Sequence, residues 1–78
     1  MKKKHQSIII TFDTTADAMA LESEFKTNLI TGRLIPIPRQ LSSGCGMAYK
    51  LNVEEKGRAI EIIKSSNLNI NAIETLEI

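Results

Sequence analysis

An α+β sandwich of the ferredoxin-like βαββαβ type is the fold class this 78-residue chain predicts, with a four-stranded antiparallel sheet and two helices on one face. Three observations carry it. Strand-like and helix-like spacings of apolar residues alternate in that order along the chain. The second strand-like run contains Pro36 and is followed at once by Pro38, and proline, lacking a donor, belongs at a sheet edge. The length suits one small core. In this topology the first and third strands are central and the second and fourth are edges, so the prolines fall on an edge strand. Residues 1–78 are therefore expected to form a single domain, with 1–5 as a frayed N-terminus.

The elements follow in order. Ser7-Ile8-Ile9-Ile10-Thr11-Phe12 is β-branched and aromatic, and its unbroken isoleucines predict a central strand covered on both faces. Thr14 is placed to cap a helix, with Asp17 three residues on in a capping-box position. Ala18, Leu21, Phe25 and Leu29 then form one apolar stripe, predicting a helix from about Thr15 to about Asn28. Arg33 to Ile37 reads as the short edge strand.

Met47 to Leu51 alternates as a strand, with Met47, Tyr49 and Leu51 on one face. Asn52 is placed to cap a second helix whose stripe is Ala59, Ile60 and Ile63, helped by Val53. Gly57 inside that helix predicts close packing against it. Ile70 to Ile78 reads as the last strand, with Ile70, Ala72, Leu76 and Ile78 on one parity and Glu74 among them. The uncovered sheet face is expected to show some of the remaining Ile, Phe and Tyr groups, which would favour a homodimer through that face.

Composition removes several function classes. A net charge of +1 gives no global field for nucleic acid. The basic run Lys2-Lys3-Lys4 is confined to the terminus and reads as a solvated end. No apolar run approaches a membrane span, no signal peptide is visible, and one cysteine suits a reducing compartment. A cytoplasmic protein with no membrane or nucleic-acid partner is expected. A single cysteine also leaves no internal disulfide and no CxxC pair. No Ser-His-Asp set, phosphate loop or metal cluster assembles; His5 reads as structural or solvated, and Met19 and Met47 as core. No metal and no cofactor are expected.

The chemistry-bearing stretch is the connection between the second and third strands. It holds Arg39, Ser42, Ser43, Gly44, Cys45 and Gly46. A tight hairpin needs two to five linking residues, and this connection uses about eight or nine. Glycine at both sides of Cys45 allows positive φ at both, and alternation of such conformations turns backbone N–H groups inward as an anion-binding nest. Arg39 and the hydroxyls of Ser42 and Ser43 are the candidate further donors to a Cys45 thiolate. The plain alternative is a Cys45 packed as a small hydrophobe, a solvated Arg39 and turn-forming serines. Spacing leaves both open.

Across Pro38-Arg39-Gln40-Leu41-Ser42-Ser43-Gly44-Cys45-Gly46, and from Ile10-Thr11-Phe12-Asp13-Thr14-Thr15 before it, the sequence resembles the selenium/sulfur carrier protein-like family of small bacterial domains. The resemblance covers nearly the whole chain and implies a carrier that holds sulfur or selenium on one cysteine, which here is Cys45, as a persulfide or perselenide. It implies donor and acceptor proteins as partners, and a carrier or binding protein more than a stand-alone enzyme. The alternative is a non-enzymatic small-ligand or protein-interaction module in which Cys45 is incidental.

Overall fold

A computed structural model describes residues 6–41 and 44–77. Seven elements follow one another: β1 (Gln6–Thr11), α1 (Thr15–Thr27), β2 (Gly32–Pro36), β3 (Met47–Asn52), a single 3₁₀ turn (Val53–Glu55), α2 (Lys56–Ser65) and β4 (Ala72–Glu77). The strands form one antiparallel sheet in the order β2-β3-β1-β4. The expected α+β, ferredoxin-like arrangement is observed, with β1 and β3 central and the proline-bearing β2 at an edge. The expectation for residues 1–5 lies outside the described residues.

One core lies between the sheet and the helices. Ile8, Ile10 and Phe12 from β1 and its exit meet Tyr49 and Leu51 of β3, Ala18, Leu21 and Phe25 of α1, and Ala59 of α2. All of these are essentially sealed from water. The period of two in the strands and of about 3.6 in the helices puts these groups on facing surfaces. Phe25 and Tyr49 meet edge to face, with ring centroids 5.2 Å apart and planes at 88°, the arrangement that aromatic quadrupoles prefer. The Tyr49 ring also lies over Gly32 of β2. A Cβ at Gly32 would come within 2.5 Å of Tyr49 Cε1, so the bare backbone there makes room for the ring.

The start of α1 is as the sequence predicts: Thr14 Oγ1 accepts from the Asp17 amide at 3.1 Å. Its end is not. The stripe was expected to run on to Leu29, but Leu29 is 83% exposed and sits at φ 61°. The helix closes in a Schellman motif, with Leu29 N–H donating to Lys26 O at 3.1 Å and Ile30 N–H to Phe25 O at 2.9 Å. Ile30, not Leu29, turns back into the core. α2 ends in the same way, through Asn67 at φ 52° and Leu68 N–H to Ile63 O at 3.0 Å. Asparagine tolerates the left-handed region; leucine is strained there.

Five further expectations are corrected. Met19, expected in the core, is 57% exposed. In α2 the residues packed on the core beside Ala59 are Ile62 and Ile63 rather than Ile60, and Val53, which lies in the 3₁₀ turn, is exposed. The Asn52 side chain makes no capping bond. Nothing lies within 4 Å of a Cβ placed on Gly57, so close packing does not explain that glycine. The β4 parity read from the sequence stands: Ala72, Glu74 and Leu76 share the face away from the helices, since Ile73 pairs with Ile10 and packs on the core. The open face shows no aromatic group: Phe12, Phe25 and Tyr49 are all inside. Its central row is instead Arg33, Lys50, Ile9 and Glu74, paired in register across the four strands.

Leu29→Gly should stabilise the chain by about 0.5–1 kcal/mol, because relief of left-handed strain exceeds the added freedom of the unfolded glycine. A rise in urea midpoint at unchanged slope is the expected reading.

Tyr49 gives a second test. Burial raises its phenol pKa above 10.0, and the carboxylate of Glu22 raises it further. Below pH 10 both folded and unfolded chains hold this proton, so stability is insensitive to it. Above, the unfolded chain releases the proton first, and stability falls as pH rises. Tyr49→Phe should remove that part of the alkaline slope, as measured by denaturation between pH 9 and 11.

Candidate functional site

The connection between β2 and β3 begins as a continuation of their ladder. Ile37 N–H donates to Gly46 O at 3.1 Å, one step beyond the Pro36–Met47 pair. This bond closes the neck of an eight-residue loop, 38–45. The length agrees with the sequence reading, and it exceeds what a hairpin requires. The loop opens with a turn in which Leu41 N–H donates to Pro38 O at 3.0 Å. Arg39 is exposed on that turn and makes no hydrogen bond or ion pair among the described residues. Ser42 and Ser43 lie outside the described residues.

Cys45 stands at the neck, immediately before the strand. It keeps the parity of Met47 and Tyr49, so its side chain points to the helix side, where it is half-buried and packs against the core. Its thiol donates to the Met47 carbonyl with Sγ 3.6 Å from the oxygen.

The two flanking glycines are both needed, for different reasons. Gly46 sits at φ 72° with open space around it, a conformation that favours glycine. Gly44 does not have positive φ; its backbone presses on the chain leaving β1, and a Cβ there would overlap the Asp13 carbonyl oxygen. The expected positive φ at both glycines is thus met at one. What sequence reasoning missed is Asp13, whose backbone backs the loop one residue before the Thr14 cap. A glycine beside a cysteine was the available signal, but it cannot name the backbone it approaches.

The structure therefore brings Gly44, Cys45 and Gly46 to the end of the sheet where β1 exits and α1 begins. A cleft of about 570 Å³ opens at the opposite end, among Gln6, Leu29, Asn52, Val53 and Arg58. It shares no residue with the Cys45 loop. Among the described residues no group of three His, Cys, Asp or Glu side chains is placed to hold a metal ion, and no helix is long and apolar enough to cross a membrane.

Residues 7–74 match the family described as Putative Se/S carrier protein-like. The chain belongs to that family. The match takes in both central strands, both helices and the whole Cys45 loop. Comparison with curated proteins and with solved structures gives no match.

The geometry separates the roles of the glycines in a testable way. Gly46→Ala should destabilise by about 1–2 kcal/mol through left-handed strain alone. Gly44→Ala should destabilise by about 1–3 kcal/mol through steric overlap, and it should change the alkylation rate of Cys45 because the loop must move off Asp13. Urea denaturation and iodoacetamide kinetics on both variants check this.

Proposed function

We propose that this protein carries sulfur or selenium on Cys45 between a donor and an acceptor protein. Membership of a family described by that cargo supports the reading, and one observation ties it to this chain. Its only cysteine stands at the neck of a loop longer than the sheet requires, set between two glycines that fix the backbone there.

The chemistry needs no base or oxidant within the chain. The Cys45 thiolate attacks the terminal sulfur of a donor persulfide, R–S–SH. The donor's S–S bond breaks, its electron pair stays on the donor sulfur, and that sulfur takes up a proton. The products are Cys45–S–SH and R–SH, with no net oxidation. A donor R–S–SeH gives the perselenide by the same route. Discharge is the reverse displacement at the terminal atom by an acceptor nucleophile, which restores the Cys45 thiolate. With one cysteine in the chain, no internal thiol can expel the cargo as a disulfide, so discharge goes to an outside acceptor.

In this reading the loop amides around Gly44 and Gly46, with Arg39 and the hydroxyls of Ser42 and Ser43, support the charged cargo. Arg39 is exposed, and the positive φ of Gly46 is half of the alternation that a backbone nest requires. Work in a reducing, cytoplasmic setting and self-association through the open sheet face belong to the same proposal.

A second reading is favoured by one contact. The Cys45 side chain packs against the core and its thiol is engaged by Met47 O, as in a cysteine used as a small hydrophobe. The protein would then be a non-enzymatic ligand-binding or interaction module.

Intact mass after incubation with a cysteine desulfurase and cysteine, or selenocysteine, distinguishes the two. The carrier reading expects an adduct of one sulfur or selenium atom, reversed by dithiothreitol and missing in Cys45→Ser. An unmodified chain beside a fully persulfidated desulfurase overturns it.

A further inference from the structure

At the end of the sheet away from Cys45, several residues go against local preference with no gain inside the chain, and they gather round one cleft. Leu29 holds a left-handed conformation at φ 61° while exposed, so neither backbone nor burial accounts for a leucine there. Val53 is exposed in the 3₁₀ turn, and Asn52 stands at a cap position without a capping bond. Gly57 lies in the first turn of α2 with nothing within 4 Å of a Cβ placed on it, where alanine suits the helix better. Leu29, Asn52 and Val53 line the cleft of about 570 Å³, as does Arg58 beside Gly57. That volume is in the range of ligand sites, and departures from local preference gather at functional sites.

The walls are braced, and their polar groups divide into engaged and unengaged. Arg58 is engaged twice: Nη2 donates to Asn28 O at 2.6 Å, and Nη1 lies 3.6 Å from Glu55 Oε1. Glu55 is engaged again through Oε2, which accepts from the Thr31 amide at 3.3 Å. These bonds tie the end of α1 and the start of β2 to α2. Buried Ile30, with its amide on Phe25 O, fixes the direction in which Leu29 projects. Among the described residues, the Glu54 carboxylate makes no ion pair, and the side-chain amides of Gln6 and Asn52 make no hydrogen bond. Lys56 is not among the walls, so the uncompensated charge of the cleft is negative.

We infer that this cleft binds an extended peptide segment of a partner protein that carries an apolar and a basic side chain. A primary amide offers donors on one side and an acceptor on the other, which matches a peptide group, so Gln6 and Asn52 suit main chain. The apolar side chain sits between Leu29 and Val53, which act as anchors at the rim. The basic group meets Glu54. The bare backbone of Gly57 leaves room for the segment to run on over α2. An acidic side chain finds no such partner, because the Arg58 guanidinium is already held by two acceptors. Docking here leaves the Cys45 end of the sheet uncovered, and the inference does not depend on what Cys45 carries.

Titration of acetyl-Leu-Lys-amide into the isotopically labelled full chain, followed by amide chemical shifts, tests it, with acetyl-Leu-Glu-amide as the comparison. Expected are saturable shifts at Gln6, Leu29, Asn52, Val53 and Glu54, and binding of the glutamate peptide at least about fivefold weaker. Leu29→Gly should raise the urea midpoint and yet weaken the lysine peptide at least about fivefold, so that unfolding cannot account for the loss. Glu54→Gln should abolish the preference for lysine. Cys45→Ser should bind as the unaltered chain does, which separates this result from that of the carrier experiment. The inference is overturned if no saturable shift appears at tens of millimolar peptide, if the two peptides bind alike, or if Leu29→Gly binds undiminished. Replacing Lys2, Lys3 and Lys4 together by serine should leave the affinity unchanged; tighter binding assigns the cleft to the chain's own N-terminus instead. Shifts at the same residues on concentrating the chain alone assign it to a second copy, and either result overturns the inference.

Discussion

The six residues of β1 are paired along both edges, to β3 through Ser7–Asn52 and Thr11–Ala48 and to β4 through Gln6–Glu77 and Thr11–Ala72. A strand in that position must lose water from both faces and from its whole backbone. Three consecutive isoleucines satisfy this, since Ile8 and Ile10 enter the helix-side core while Ile9 sits on the other side, and all three are essentially sealed. Full burial of such side chains is worth about 1.5–3 kcal/mol each. In a domain of this size that is a large part of a net stability of roughly 4–12 kcal/mol. The remaining elements are placed by this strand. β3 and β4 take their register from it, and the helices close over the groups it turns toward them.

The end of β1 also sets the geometry of the candidate site. Thr11 is 1% exposed, and its polar groups are satisfied locally. The Asn71 amide donates to Thr11 O at 2.7 Å, and the Asn71 side chain donates to Thr11 Oγ1 at 3.2 Å. The chain leaving this anchored point passes Asp13, against which Gly44 rests. Cys45 is therefore held between two fixed pieces of backbone, the β2–β3 neck at Gly46 and the exit of β1 behind Gly44. A cysteine on an unsupported eight-residue loop would sample many positions. One pinned at the neck of the loop is confined to the sheet end.

Much of the fold is legible in particular residues. The isoleucine run, Pro36 and the Thr14–Asp17 cap are local signals whose physical consequences do not depend on what packs against them. The misreadings concern which face a residue takes. Leu29 continues the α1 spacing, but it lies one residue past the Asn28 cap in the left-handed region, where that spacing no longer sets its direction. Val53 fails because it belongs to a 3₁₀ turn, which advances the chain at a different angle from an α-turn. In β4 an alternation with Glu74 in the middle was ambiguous between faces, and only the pairing of Ile73 with Ile10 resolves it. The homodimer was expected from Ile, Phe and Tyr groups on the uncovered face, but Phe12, Phe25 and Tyr49 lie in the core and Ile9 on that face is itself sealed.

By itself the sequence determined the class of the main elements, the order of the strands and the presence of a single thiol, Cys45, in the β2–β3 connection. The first two follow from side-chain period and from the missing N–H of proline. Only the tertiary structure decided that Gly44 is required by the Asp13 carbonyl rather than by its own dihedral angles. It alone decided that Cys45 faces the helix side with its thiol on Met47 O, and that Lys50 and Glu74 flank Ile9 from opposite sides. Each of these is a relation between residues far apart in the chain or a choice of face. Local composition carries no record of either.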